Sequence, residues 1–169
     1  MSNDNTENKK ASDIDRHIRV VRQKIDTYLS SAQSSDVLII KAHLICEYYL
    51  NQILLVKEVC DSNEMRKLSF FQKSEKAFDL NNAREKLIYR KVKALNDIRN
   101  KTGHELEYTL TESDVDELGY VDGKEYVFKK YDFDEIEKTL HYILINTVLD
   151  ISLFLFTLIK KEKATLEKG

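Results

Sequence analysis

The stretch VLIIKAHLICEYYLNQILLVKEVC, residues 37–60, decides the fold of this chain. Apolar side chains fall on nearly every side of the helix that it predicts, which is typical of a helix at the centre of a bundle. Ser34, Ser35 and Asp36 come directly before it and supply a break and an N-terminal cap. The sequence therefore predicts a bundle built around this helix.

A line of polar residues interrupts the predicted central helix. His43, Glu47 and Asn51 are spaced by four and share one face, with Glu58 a little further round. Burying unpaired polar groups is costly, so the line must be hydrogen-bonded, face a cleft or face solvent. The sequence leaves these three alternatives open.

The rest of the chain also predicts helices, because its 169 residues include no proline and only four glycines. Helices are expected over about 12–31, 65–80, 82–102 and 132–161, with a short one ending at Gly119. In the 65–80 helix, Lys73 and Lys76 are expected on the polar side. The polar residues 1–11 predict a disordered tail, which leaves 12–165 as a single domain.

A short segment after Gly119 has a different pattern. Residues 120–128 alternate around Asp122-Gly123, which predicts a small β-hairpin. The predicted fold class is therefore all-α, a four- to five-helix bundle with a β-hairpin insertion near residues 120–128.

Composition indicates a soluble globular protein, with 42% hydrophobic and 33% charged residues. The polar N-terminus predicts no signal peptide, and Cys46 and Cys60 lack metal-ligand spacing, so we expect reduced thiols in a cytoplasmic protein.

Residues 142–159 are long enough to span a bilayer. Asp150 at its centre would cost ~3 kcal/mol, which favours a buried bundle helix and no membrane contact.

The candidate site is the stretch IRNKTGHE, residues 98–105, at the end of the predicted fourth long helix. Asn100 and His104 are four apart and share a face, Arg99 borders that face, and Gly103 would let the backbone bend where the helix stops. A guanidinium, an amide and an imidazole together could hold and cut a phosphodiester. They could equally form an ordinary polar helix end, and both interpretations stay open.

Basic residues lead along the same helix toward this stretch. Its exposed positions are predicted to be Arg84, Lys86, Arg90, Lys91 and Lys93. The net charge is −2, so any RNA contact must come from a local basic patch. Arg90, Lys93 and Lys101 are the predicted RNA-binding residues. The four histidines are scattered without ligand spacing, so neither a metal nor another cofactor is expected.

Three segments, taken in order, resemble the HEPN superfamily, and within it the branch that includes mannitol-operon-repressor-like proteins. Residues 42–54 are similar to that branch's apolar helix with an internal glutamate, here Glu47. Ser69 to Lys73 looks like its Phe-x-x-Lys segment. Residues 95–104 match the Arg-Asn-x-x-x-His end, with Gly103 where alanine is more often expected. The likeness spans roughly residues 37–104.

The resemblance implies a metal-independent endoribonuclease that works as a homodimer, with both motifs facing one shared cleft. His104 would act as general base on a ribose 2′-hydroxyl, Arg99 would bind the phosphate and Asn100 would orient either group. Glu47 would set the tautomer of His104. The resemblance also suggests a toxin–antitoxin or phage-defence role. The alternative is a non-catalytic dimeric regulatory or interaction protein, like the mannitol operon repressors, with a protein partner or antitoxin.

Overall fold

The computed structural model describes residues 3–104, 108–119 and 133–167, and the side chains of 14–104, 108–119 and 138–167. This part of the chain forms seven helices and no β-strand. They are α1 (Asn3–Leu29), α2 (Ser35–Val56), α3 (Ser62–Met65), α4 (Phe70–Ala77), α5 (Ala83–His104), α6 (Glu112–Gly119) and α7 (Phe133–Leu166). The all-α prediction is confirmed. The predicted β-hairpin near residues 120–128 lies outside the described residues.

Helix α2 lies at the centre of the bundle, where it contacts α1, α3, α4, α5 and α7. Its side chains Leu50, Ile53 and Leu54 are fully buried, as are Leu144 and Ile151 of α7, the helix with which it shares most of its packing. Each such side chain contributes roughly 1.5–3 kcal/mol through burial. Helix α2 is apolar on nearly every side because other helices pack against it from several directions.

The C-terminus of α2 comes at Val56, before the predicted end near residue 60. The backbone N–H of Val59 donates to the Leu54 carbonyl at 3.0 Å, and that of Glu58 donates to the Leu55 carbonyl at 3.1 Å. This hydrogen-bond pair is a Schellman motif, which requires a left-handed residue. Glu58 takes that position with φ 54°.

The helix predicted over residues 65–80 is shorter, α4 over Phe70–Ala77, and a separate short helix, α3 over Ser62–Met65, comes before it. Each begins with a capping box, in which the cap side chain and the third helical residue satisfy each other's backbone N–H groups. Asp61 and Glu64 form the box of α3, and Ser69 and Gln72 form that of α4. The start of a second helix at Phe70 is therefore encoded locally.

Helix α1 begins at Asn3, earlier than the predicted start near residue 12. Residues 3–29 contain neither proline nor glycine, so the sequence offers no local stop signal within them. The disordered tail over residues 1–11 stays a prediction.

Helix α7 is long and apolar enough over Lys138–Leu166 to cross a membrane, but half of its most apolar stretch is buried inside the protein. Its Asp150 accepts a hydrogen bond from Lys91 at 2.7 Å, and the hydroxyl of its Ser152 lies 3.1 Å from His17 Nε2. Polar groups of α7 thus have partners within the bundle. This packing is that of a core helix, whereas the cytoplasmic location stays a prediction.

Candidate functional site

His43 of α2 joins the central helix to α4 and α5. Its Nε2 lies 3.2 Å from Asn96 Oδ1 on α5, and its ring stacks on Phe70 of α4 with centroids 3.9 Å apart. An amide oxygen can only accept, so Nε2 carries the proton in this bond and Nδ1 is the free acceptor. The residue is only 8% exposed, so the imidazole is part of the interior.

The environment of His43 favours its neutral form. Burial lowers its pKa below the ordinary 6.5, and the positive charge of Arg99 lowers it further. The hydrogen bond with Asn96 and the charge of Glu47 act in the opposite direction without offsetting the decrease. Arg99 follows Asn96 by three residues on α5, so the two side chains leave the helix on neighbouring sides.

Glu47, one helical turn after His43, binds Lys73 of α4. The Lys73 Nζ donates to Glu47 Oε1 at 2.6 Å. The Lys73 side chain is 7% exposed and that of Glu47 is 33% exposed. Water therefore reaches the glutamate side of the ion pair but not the lysine side. Lys73, predicted on the polar side of its helix, is buried, and its ammonium group is paired with the Glu47 carboxylate.

These contacts bring together the three segments on which the resemblance rests. We call His43, Glu47, Lys73, Asn96 and Arg99 the polar cluster. The first two members come from α2, Lys73 from α4 and the last two from α5. Of the three alternatives for the polar line on α2, hydrogen bonding applies to His43 and Glu47, whereas Asn51 buries Oδ1 without a hydrogen-bond partner among the described residues.

The predicted catalytic residues occupy the C-terminal end of α5. Arg99 is exposed, and its Nη1 donates to Asn100 Oδ1 at 3.3 Å. His104 is exposed too, ends the helix and has no hydrogen bond or ion pair with any described residue. The Glu47 carboxylate is paired with Lys73, so its predicted role in setting the tautomer of His104 stays a prediction. Exposure leaves both the guanidinium and the imidazole accessible to a ligand.

Helix geometry separates Arg99 from His104. Residues five apart on an α-helix differ in direction by roughly 140°. The helix continues through Gly103 to His104, so the bend predicted at Gly103 does not occur. A Cβ added at Gly103 would lie 3.8 Å from Arg99 Nη1, which shows that the guanidinium lies close to this glycine. Within one chain, Arg99 and His104 thus leave α5 in different directions.

Ion pairs engage much of the predicted basic patch. Lys93 binds Asp97 at 2.6 Å and Lys101 binds Asp114 at 2.8 Å. The side chains of the two lysines are nevertheless 44% and 45% exposed to solvent. Lys91, predicted to be exposed, is buried and binds Asp150 of α7. Arg90 is exposed. The patch is therefore weaker than the row of lysines and arginines in the sequence suggests.

Asp114 fixes the end of α5 to α6. Burial raises the pKa of its carboxyl, but hydrogen bonds from Lys101, Thr111 and Tyr108 outweigh burial and bring the pKa well below its usual range. The carboxylate is thus charged at neutral pH and holds Lys101 in place. The helix end that carries Arg99 and His104 is braced by α6 on this side.

No family model, curated protein or solved structure matches this chain. Among the described residues, no group of three or more His, Cys, Asp or Glu side chains is arranged to hold a metal ion.

Three members of the polar cluster were not predicted as site residues: His43, which was predicted only as part of the polar line on α2, Lys73 and Asn96. Asn96 lies three residues before Arg99 and four before Asn100, a spacing that places it near the same side of the helix. This signal was available in the sequence. The burial of Lys73 could not be predicted, because the pattern of polar residues along a helix is the same for an exposed lysine and for a buried, ion-paired one.

Proposed function

We propose that this protein is a metal-independent endoribonuclease with Arg99, Asn100 and His104 as its catalytic residues. The observation that supports this most is the accessibility of the helix end: Arg99 and His104 are both exposed, and Asn100 holds the guanidinium. His104 has no hydrogen-bond partner among the described residues, which leaves its imidazole available to a ligand.

The reaction would be an internal transfer at phosphorus. His104 takes the proton of a ribose 2′-hydroxyl, the oxygen attacks the adjacent phosphorus and the bond to the 5′-oxygen breaks. The leaving oxygen takes a proton from an imidazolium or from water. Arg99 donates two N–H groups to the phosphate oxygens, where negative charge develops. The products are a 2′,3′-cyclic phosphate and a 5′-hydroxyl.

The angle between Arg99 and His104 favours a site completed by two copies. A phosphate bound to Arg99 is not directly in front of His104 of the same chain, because the two side chains diverge by roughly 140°. A second copy facing this helix end could supply the missing group. This agrees with the homodimer that the resemblance implies. Arg90, Lys93 and Lys101 would then contact the flanking RNA phosphates, with the two lysines weakened by their ion pairs.

The proposal is tested by incubating the purified protein with single-stranded and structured RNAs in EDTA. We expect fragments ending in 2′,3′-cyclic phosphate, lost in His104→Ala and in Arg99→Ala. Arg84→Ala is the matched control, because Arg84 is an exposed arginine at the other end of α5. A wild type as inert as His104→Ala on every RNA, or an active His104→Ala, contradicts the proposal.

A toxin or phage-defence role would follow from such an activity. Expression of the wild type is then expected to arrest growth, and Arg99→Ala is expected to relieve the arrest, whereas Arg84→Ala is not. Growth arrest that persists in Arg99→Ala would separate toxicity from the proposed site.

A second candidate is a non-catalytic dimeric regulatory protein that resembles mannitol operon repressors. The observation in its favour is that acidic neighbours partly neutralise the basic patch, since Lys93 and Lys101 bind Asp97 and Asp114. This candidate predicts that a protein partner co-purifies with the chain. It also predicts that His104→Ala keeps the partner and the phenotype unchanged.

A further inference from the structure

One buried carboxylate of α6 is bonded to the chain on both sides of His104. Lys101 lies three residues before His104 and donates to Asp114 Oδ1 at 2.8 Å. Tyr108 lies four residues after His104, and its hydroxyl donates to Asp114 Oδ2 at 2.7 Å. The Lys101 ammonium group also lies 5.9 Å from the centre of the Tyr108 ring. Both ends of the segment 101–108 therefore meet at a single side chain.

Capping of α6 explains only part of this arrangement. The backbone N–H and the hydroxyl of Thr111 donate to Asp114 Oδ2 at 3.0 and 2.6 Å, and the Asp114 backbone N–H donates to Thr111 Oγ1 at 3.3 Å. These contacts have the form of a capping box at the start of α6. The bonds from Lys101 and Tyr108 belong to no such cap, because neither donor is part of α6. Asp114 thus has a second set of partners, and these flank His104.

Helix α6 gives the Asp114 carboxylate a fixed place in the protein. Val115 and Leu118 of α6 are buried in the core, and the helix packs against both α5 and α7. The Asp114 side chain is only 5% exposed, and burying a charge is costly unless hydrogen bonds satisfy it. Moving Lys101 or Tyr108 away would remove donors from this buried charge. Both groups are therefore restrained.

We propose that Asp114 is a positioning residue for His104, because it holds the chain in place on both sides of the imidazole. Residues three apart on a helix share one side, so fixing Lys101 fixes the turn of α5 from which His104 projects. His104 has no hydrogen bond or ion pair with a described residue, so its direction depends on that turn. The role in catalysis rests on the proposed function, whereas the restraint on the helix end does not.

The same carboxylate competes with RNA for Lys101. The Lys101 side chain is 45% exposed and can reach a phosphate, but Asp114 offsets its charge. Removing the negative charge should therefore have two opposite effects. RNA should bind more tightly, because Asp114 no longer neutralises Lys101, and cleavage should slow, because His104 is no longer held. If Asp114 only stabilises the fold, its loss should weaken binding and cleavage together.

Amide hydrogen exchange tests the restraint without RNA. In Asp114→Asn we expect the amides of residues 101–104 to exchange about tenfold or more faster than in the wild type, because a hydrogen bond to a buried charge is lost. The amides of residues 50–54 at the centre of α2 should exchange as before. Asp116→Asn is the matched control, since Asp116 is an exposed acid on the same helix.

Tyr108→Phe provides a milder test, because it removes only the bond after His104. We expect a smaller acceleration at the same amides, and this variant decides the question if Asp114→Asn does not fold. Unchanged exchange at residues 101–104 in the folded variants overturns the proposal. So does an acceleration spread evenly over the whole chain, because Asp114 would then contribute only to overall stability.

Cleavage and binding assays test the role in catalysis. For Asp114→Asn we expect kcat in EDTA to fall by about tenfold or more. We also expect tighter binding of a mixed-sequence 2′-O-methyl RNA, which lacks the attacking hydroxyl, with Asp116→Asn like the wild type in both assays. An unchanged kcat, or weaker binding, contradicts the positioning role. A wild type that cleaves no RNA contradicts the proposed function instead, and the exchange result still decides whether Asp114 restrains the helix end.

Discussion

Replacing the Glu47 carboxylate tests whether burial or distance sets the strength of the ion pairs in this protein. Two pairs have the same length, because Glu47–Lys73 and Asp97–Lys93 are both 2.6 Å apart. They differ in burial: the Lys73 side chain is 7% exposed, whereas that of Lys93 is 44% exposed. Glu47→Gln and Asp97→Asn remove one charge each and keep the shape of the side chain.

The expected costs follow from what each substitution leaves behind. Leaving a buried charge without its counter-charge costs ~3–5 kcal/mol when both partners are buried. Water can reach the third of Glu47 that is exposed, so we expect about 2 kcal/mol for Glu47→Gln. Asp97→Asn breaks an exposed pair and should cost at most ~0.5 kcal/mol. Lys73→Met leaves Glu47 in contact with water and should cost about 1 kcal/mol or less.

Urea unfolding followed by circular dichroism at neutral pH measures these differences. In the double variant Glu47→Gln, Lys73→Met, no buried charge remains, so its cost should stay near that of Lys73→Met alone. A coupling energy of about 1–2 kcal/mol between the two positions would result. If Glu47→Gln is no more destabilising than Asp97→Asn, the argument from burial is refuted.

Three further outcomes are expected. Gly103→Ala should raise stability by ~0.5–1 kcal/mol in urea unfolding, because Gly103 is helical and, among the described residues, the added Cβ meets only Arg99 Nη1 at 3.8 Å. Glu58→Gly should raise it by up to ~1 kcal/mol, since Glu58 holds a left-handed conformation that glycine adopts freely; a destabilised variant would contradict this. Because the pKa of His43 is lowered on folding, the unfolded chain binds more protons below pH 6.5 and stability falls as pH drops through that range. His43→Gln should lose less stability between about pH 7.5 and pH 5 than the wild type, and an unchanged loss in urea titrations would refute the assignment.

Much of the fold could be predicted from the sequence, because the signals that determine it are local. The long helices, the ending of α6 at Gly119 and the central position of residues 37–60 follow from apolar periodicity and from the absence of proline. The break between α3 and α4 was also encoded, in the capping boxes of Asp61 and Ser69. A helix that ends close to Arg99, Asn100 and His104 was predicted as well, whereas the catalytic role of these residues stays a prediction.

Tertiary structure alone decided which partner each polar side chain has. A helical pattern shows which face a residue occupies but not which charge another helix brings to it, so Lys73 and Lys91 could be recognised as buried only once Glu47 and Asp150 were placed beside them. For the same reason the hydrogen bond between His43 of α2 and Asn96 of α5 could be recognised only in the folded structure. The sequence determined the helices and their chemistry. The packing of α2, α4 and α5 determined which groups meet, because contacts between residues distant in the chain depend on how whole helices pack.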